Sequence, residues 1–270
     1  MTLLNETLWN WSSPVWLTAG VLSALYVLFL MRDFWRTCWF ACGTIALVFA
    51  FISPLGVLAD GYLFSAHMLQ HLLLLLIVPL CWTLSLPDTS ELPWLDQKRF
   101  APLFRILAIP TVGWISGLGV MWFWHVPSLC SAATESPFIG VIRSTMFLAA
   151  GMAFWWPVYS PVRRTRLPAP VGIVYLFTAC LGCTLLGIYI TFTPLSVCPA
   201  FANPIDRIGI LNMLYDKGFT PSVDQQLAGL LMWVPPCSLY IAAILSLLRR
   251  WYAEAPSLSE VSPSTRTSRP

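Results

Sequence analysis

The sequence predicts an all-α, polytopic membrane protein: a bundle of seven transmembrane helices with its N-terminus outside and its C-terminus in the cytoplasm. Composition is the first reason, because 57% of the 270 residues are hydrophobic and only 10% are charged, whereas about a quarter are charged in a soluble domain. So few charges do not solvate the surface of a soluble domain of this size, but a lipid bilayer requires no such solvation. The net charge of +3 indicates no nucleic-acid partner, so the composition predicts the lipid bilayer as the surroundings.

Seven apolar runs are the second reason, because a spanning helix needs about 20 mostly apolar residues. Pro79 and Pro110 lie inside two of the runs, where we expect them to kink the helices. Residues 1–13 are expected to form an outer segment, residues 14–250 the transmembrane domain and residues 251–270 a disordered cytoplasmic tail rich in Ser, Thr and Pro. The predicted spans are residues 15–31, 35–55, 62–86, 103–125, 138–159, 171–194 and 227–248.

The distribution of basic residues is the third reason and sets the orientation. Twelve of the fifteen Lys and Arg residues follow the first, third, fifth and seventh runs or lie in the tail. Because cytoplasmic loops carry an excess of basic residues, this side is predicted to be cytoplasmic. The other side holds only Arg143, Arg207 and Lys217. An odd number of spans then places the two termini on opposite sides.

All three histidines fall near the predicted outer face. His67 and His71 begin the third run and, four residues apart, share one face of a helix. His125 ends the fourth run and therefore reaches the same membrane depth. Ionisable groups inside a bilayer are costly and suggest a functional site, and neutral imidazole is the commonest metal ligand. The three histidines therefore predict a metal site at the outer membrane face.

Sulfur and carboxylate side chains near the histidines indicate which metal to expect. Met121 lies one helical turn from His125, and Met232 lies in the seventh run. Thioether ligands shift the preference of a site toward Cu(I). Asp224 begins the seventh run on the same side and is a candidate ligand, or a hydrogen-bond acceptor for a ligating histidine. The predicted metal is therefore copper, as Cu(I).

Three other interpretations of the histidines remain open. In the first, the histidines are hydrogen-bonded packing residues. In the second, two of them, such as His71 and His125, ligate a b-type haem of an electron-transfer protein. The third is a transporter for a metal or a small solute, although the predicted inner halves of the spans contain almost no polar groups. The sequence has no phosphate-binding glycine loop, no HExxH motif and no Ser-His-Asp arrangement, so we do not expect an enzyme.

The cysteines carry weaker signals. Cys130 and Cys198 fall in predicted outer loops, where a disulfide or two unpaired thiols are favoured over metal ligation. Cys180 and Cys183 have the CxxC spacing but lie inside a span, so we interpret them as helix-packing residues. Cys237 is interpreted as an apolar filler.

Four motifs give the chain a resemblance to a known family. Together they resemble the signatures of the bacterial CtaG membrane proteins, the multi-spanning assembly factors of caa-type cytochrome c oxidase. They occur in the same order and on the same predicted face as in that family, and the resemblance covers about residues 40–250. In this chain they read Ser65-Ala66-His67-Met68-Leu69-Gln70-His71-Leu72-Leu73, Trp124-His125-Val126-Pro127, Trp155-Trp156-Pro157 and Asp224-Gln225-Gln226-Leu227-Ala228-Gly229-Leu230-Leu231-Met232-Trp233-Val234-Pro235.

The resemblance implies a function in the maturation of cytochrome c oxidase, linked to delivery of copper to the copper centre of the oxidase. It implies a chaperone-like assembly factor of the bacterial cell (inner) membrane, whose partners are an oxidase subunit or a periplasmic copper chaperone. The residues that it singles out in this chain are His67, Met68, His71, His125, Asp224 and Gln225.

Overall fold

The computed structural model describes residues 8–31, 33–88, 101–194, 196–207 and 209–254. Within these ranges the protein is helical and has no strand, which confirms the predicted all-α class. The helices are α1 (Val15–Phe29), α2 (Phe34–Ile52), α3 (Pro54–Ala59), α4 (Phe64–Ser85), α5 (Ala101–Leu107), α6 (Pro110–Trp124), α7 (Pro127–Glu135), α8 (Pro137–Tyr159), α9 (Ala169–Phe192), α10 (Leu211–Asp216) and α11 (Pro221–Glu254).

Five of these helices, namely α2, α4, α8, α9 and α11, are long and apolar enough to cross a membrane. Helices α5 and α6 together would make a sixth span, bent by 68° at the break between them. Helix α1 is apolar but has 15 residues, fewer than the roughly 20 that a straight span needs. The described residues thus contain five or six candidate spans, and the count of seven and the orientation of the termini stay predictions.

Pro79 and Pro110, the two prolines expected to kink the spans, mark irregular points of the fold. Pro110 is the first residue of α6, directly after the break. Pro79 follows a π-helical turn at Leu73–Ile77 within α4. Proline has no N–H group for the carbonyl four residues before it, so the carbonyl of Leu75 lacks its α-helical donor. The kinks expected from the sequence therefore take the form of a break before Pro110 and a widened turn before Pro79.

Helix α4 lies in the centre of the bundle, packed against α2, α3, α8 and α11. The approach of α8 is close: a Cβ atom added at Gly151 would overlap the carbonyl oxygen of Leu75 in the π-helical turn. Helix α6 approaches α8 in the same way, since a Cβ atom added at Gly113 would lie 2.6 Å from the carbonyl oxygen of Ala153. Small residues thus allow the backbones to pack closely, as is usual between membrane helices.

The two ends of the bundle differ in character. One end, here named the histidine end, is formed by the N-termini of α4, α8 and α11 and the C-terminus of α6. At the opposite end, the carboxylate of Asp88 lies 4.0, 2.9 and 3.8 Å from the guanidinium groups of Arg36, Arg163 and Arg166. Helix α11 continues to Glu254, so the first four residues of the predicted tail are helical; residues 255–270 lie outside the described residues.

Candidate metal centre

The three histidines meet at the histidine end of the bundle. Residues 67 and 71 lie one turn apart near the start of α4, and His125 is the residue that ends α6. All three side chains are buried. The ring centroid of His71 lies 4.2 Å from that of His67 and 5.6 Å from that of His125. The prediction that separate helices bring these imidazoles together is confirmed.

Both ring nitrogens of His67 have protein partners. Its Nδ1 lies 3.0 Å from the carbonyl oxygen of Ala59. Because a carbonyl only accepts hydrogen bonds, Nδ1 carries the proton and donates it. The Nε2 atom therefore has a lone pair, and it accepts a hydrogen bond of 3.3 Å from the guanidinium of Arg143. His67 offers no open nitrogen to a metal ion in this arrangement.

His125 presents a lone pair to a sulfur atom. Its Nδ1 lies 2.6 Å from the carbonyl oxygen of Met121 and must donate to it. In the neutral imidazole the Nε2 atom is therefore unprotonated, and it lies 3.1 Å from Sδ of Met68. Two lone-pair atoms thus face each other without a proton between them. A cation held by both atoms would relieve this contact, and imidazole and thioether are ligands that suit Cu(I).

His71 has no hydrogen-bond partner among the described residues. Both of its ring nitrogens are buried and unpaired, although it lies between the other two histidines. The aromatic ring of Phe147 covers it, with the ring centroids 4.4 Å apart. Leaving a buried polar group unpaired costs about 1–3 kcal/mol. Since such groups are rare in native proteins, one explanation to be tested is a bound ion.

The donors that converge at this end are therefore two imidazoles and one thioether. Within the described ranges, no group of three or more His, Cys, Asp or Glu side chains is arranged to hold a metal ion. The three predicted histidines are close together, but Arg143 and Ala59 occupy the nitrogens of His67. His71, His125 and Met68 form the remaining donor set, which we call the donor trio.

Asp224 lies at the start of α11 and binds the backbone of α4. Its carboxylate oxygens accept hydrogen bonds of 2.5 and 3.1 Å from the N–H groups of Phe64 and Ser65. These are the first two residues of α4, where N–H groups have no partner within the helix. Asp224 thus caps the helix that carries the donor trio's His71 and Met68 and makes no hydrogen bond to an imidazole among the described residues.

Gln225, the next residue of α11, joins this helix to α9. Its amide Nε2 donates to the carbonyl oxygens of Ile190 and Thr193, at 3.2 and 3.1 Å, where α9 ends. Its Oε1 accepts a hydrogen bond of 3.2 Å from the N–H of Val197. Asp224 and Gln225 therefore connect α11 to the start of α4, to the end of α9 and to the segment at Val197.

The other two predicted sulfur ligands lie farther into the core. Sδ of Met121 lies 4.0 Å from Sγ of Cys183 on α9, so only the backbone of Met121 reaches His125. Met232 is buried in the hydrophobic core, about two turns along α11 from Asp224. The thioether that the structure places at an imidazole nitrogen is that of Met68.

One disulfide decides between the alternatives left open for Cys130 and Cys198, and a second corrects the interpretation of two other cysteines. Cys130 of α7 pairs with Cys198, and their Cα atoms are 5.7 Å apart. This bond holds the segment that contains Phe201, whose ring centroid lies 5.0 Å from that of His67. The interpretation of Cys180 as a helix-packing residue and of Cys237 as an apolar filler is wrong, because the two pair with each other between α9 and α11.

Arg143 is the site residue that the sequence analysis missed. It was counted among the basic residues of the outer side, but it lies within α8, and only 7% of its surface is exposed. The signal was present, because residue 143 falls inside the predicted span 138–159. A buried cation in a span calls for a functional explanation, and here its partner is His67.

Comparisons with known proteins agree with the motifs. A model of the cytochrome c oxidase caa3 assembly factor family matches residues 24–254, which include all four motifs. An uncharacterized protein of Mycobacterium leprae (strain TN) is 23% identical over 271 residues. That match covers 91% of this chain but 40% of the relative, so the chain spans about two fifths of the relative's length. No solved structure matches the chain.

Proposed function

We propose, from the premise that the chain belongs to the cytochrome c oxidase caa3 assembly factor family, that it binds Cu(I) at its histidine end and supports maturation of the oxidase copper centre. The proposed role is that of an accessory protein that hands over copper and catalyses no reaction. The proposed location is the bacterial inner membrane, with the histidine end on the outer side. The grouping of Arg36, Arg163 and Arg166 at the opposite end supports this orientation.

The observation that carries the proposal is the unpaired imidazole of His71. Both of its nitrogens are buried without a partner, next to the Nε2–Sδ contact of His125 and Met68. A monovalent copper ion would supply the missing interaction for His71 and separate the two facing lone pairs. The donor trio combines two imidazoles with one thioether, which is a soft set for Cu(I).

The surroundings of His71 favour a single ion over a haem. Its ring is packed against His67 on one side and Phe147 on another, with centroid distances of 4.2 and 4.4 Å. A porphyrin would need a wide flat space beside the ligating imidazole, and these contacts occupy that space. A small ion needs no such space.

Delivery also requires that the ion be released. Only three donors converge, so an incoming ligand of a partner protein has room in the coordination sphere. His67 lies beside the trio and could replace or assist a donor if the guanidinium of Arg143 left its Nε2. An oxidase subunit or a periplasmic copper chaperone is the proposed exchange partner.

The test is competitive titration of the purified protein with Cu(I) and a chromophoric Cu(I) chelator. We expect one tightly bound Cu(I) in the wild-type protein, none in His71→Ala or His125→Ala, and weakened binding in Met68→Leu. X-ray absorption of the copper-loaded protein should show sulfur and nitrogen neighbours and lose the sulfur signal in Met68→Leu.

Met152→Leu is the matched control, because Met152 lies on α8 and its Sδ contacts Thr83 rather than a histidine. This variant should bind copper as the wild type does. Unchanged copper stoichiometry in folded His71→Ala would refute the proposed site. A Soret band in the purified protein would instead favour the haem interpretation.

A further inference from the structure

A second feature of the histidine end is not explained by the donor trio. A cavity of about 1170 Å³ lies between α1, α2 and α3 on one side and α8 on the other. Its walls include residues spaced along α8 from Pro137 to Leu148. Eleven residues of α-helix rise about 16 Å, so the cavity extends from the end of the bundle well into the outer half of the span.

The cavity carries charged groups near the end of the bundle and uncharged, mainly apolar ones deeper in. Asp60 and Arg207 line it near the end of the bundle, whereas Leu47 and Leu148 line it deeper, together with the uncharged Thr145. This division matches an amphiphile, which has a polar head and an apolar chain.

The cavity also opens toward the side of the bundle. Val141, in the wall of the cavity, is 61% exposed, and Thr145, one turn farther along α8, is exposed as well. Helix α1, on the opposite side, packs mainly against α2. A lipid molecule therefore has a lateral path from the bilayer into the cavity.

Arg143 supplies a buried positive charge that Asp60 stabilises at a distance without forming an ion pair with it. It lines the cavity and is more than nine-tenths buried, yet it makes no ion pair with any described residue. Its single hydrogen bond there goes to neutral His67, and its Nε is buried without a partner. Of the other charged groups in the wall, Asp60 pairs with Arg207 at 3.8 Å and Glu135 is exposed at the end of α7.

We propose that this cavity binds a phospholipid of the outer leaflet, with the phosphate on the Arg143 guanidinium and an acyl chain in the deeper, mainly apolar part. Arginine presents several donors in one plane and binds phosphate oxygens in pairs. The Arg143 guanidinium lies 3.3 Å from Nε2 of His67, in the first two turns of α4, so it sits near the histidine end of the bundle. The proposal concerns a site distinct from the donor trio and does not depend on copper binding.

The test measures lipid binding by native mass spectrometry of the full chain in detergent micelles. Three ligands are added separately: phosphatidylglycerol, a neutral glycolipid with the same acyl chains, and inorganic phosphate. We expect one phosphatidylglycerol per chain, bound at least about tenfold more tightly than the glycolipid, because hydrogen bonds between charged groups are stronger than those between neutral groups. Arg143→Gln should lose this preference.

Two further variants keep the test decisive. Arg105→Gln removes an exposed arginine of α5 remote from the cavity and should bind phosphatidylglycerol as the wild type does. Leu148→Trp leaves Arg143 in place but fills the deeper part of the cavity, so it should weaken phosphatidylglycerol binding even if Arg143→Gln does not fold. Equal binding of phosphatidylglycerol by the wild type and Leu148→Trp would overturn the proposal, as would inorganic phosphate competing as well as the lipid.

Discussion

Replacing Asp224 by alanine removes the acceptor that holds the N-terminus of α4. No side chain of α4 or of the residue before it caps this end of the helix. The two oxygens of Asp224 accept the N–H groups of Phe64 and Ser65 at 2.5 and 3.1 Å. The substitution therefore leaves two buried donors without a partner and removes a negative charge from a helix N-terminus. His67 lies three residues farther along and depends on that end being ordered.

The expected loss of stability comes from the lost helix cap and from the lost negative charge at the helix N-terminus. Losing a helix cap costs about 1 kcal/mol, with a range of about 0.5–2, and a partly buried charge at a helix terminus contributes up to about 2 kcal/mol. We therefore expect Asp224→Ala to lower the free energy of unfolding by about 2–3 kcal/mol, roughly a 30- to 150-fold change in the unfolding equilibrium. Asp224→Asn keeps one acceptor oxygen and should lose about half as much.

The assay is reversible unfolding in mixed micelles with increasing sodium dodecyl sulfate, followed by circular dichroism. Hydrogen exchange of the peptide that contains Phe64 and Ser65 should also rise in Asp224→Ala. Asp216→Ala is the control, since Asp216 is exposed on α10 and a surface substitution changes stability by less than about 0.5 kcal/mol. If the free energy of unfolding of Asp224→Ala differs from that of the wild type by less than about 0.5 kcal/mol, the proposed capping role is wrong.

Two further predictions follow from the packing. Gly151→Ala should destabilise the bundle by about 1–3 kcal/mol in the same unfolding assay, because the new methyl group overlaps the carbonyl oxygen of Leu75; a variant as stable as the wild type would show that α8 does not pack this closely on α4. Cys130→Ser should lower stability by about 2–4 kcal/mol, because the bond to Cys198 closes a long loop, and added reductant should destabilise the wild type more than the variant, which keeps only the Cys180–Cys237 bond. Cys38→Ser is its control, because Cys38 is an exposed free cysteine, and equal losses in both serine variants would contradict the prediction.

The sequence predicted the site's location better than its contacts. His67 and His71 share a helical face whenever their segment is helical, and a proline after His125 places that histidine at a helix end. Both features are local, so the shared membrane depth could be predicted. Which nitrogen of each ring is free depends on neighbours from α3, α6 and α8 that are distant in sequence. Asp224 illustrates the same limit, because its residue type suited a metal site, whereas its position made it a cap.

The sequence by itself determined the helical class and most of the helix positions, because apolar length and proline placement are properties of a continuous segment. It also determined that the three histidines would lie at one end. Only the tertiary structure decided that Arg143 binds His67, that Met68 faces His125 and that His71 finds no partner in the part of the chain that the structure describes. These contacts depend on how α4, α6 and α8 are rotated and spaced, and close packing at Gly113 and Gly151 sets that geometry.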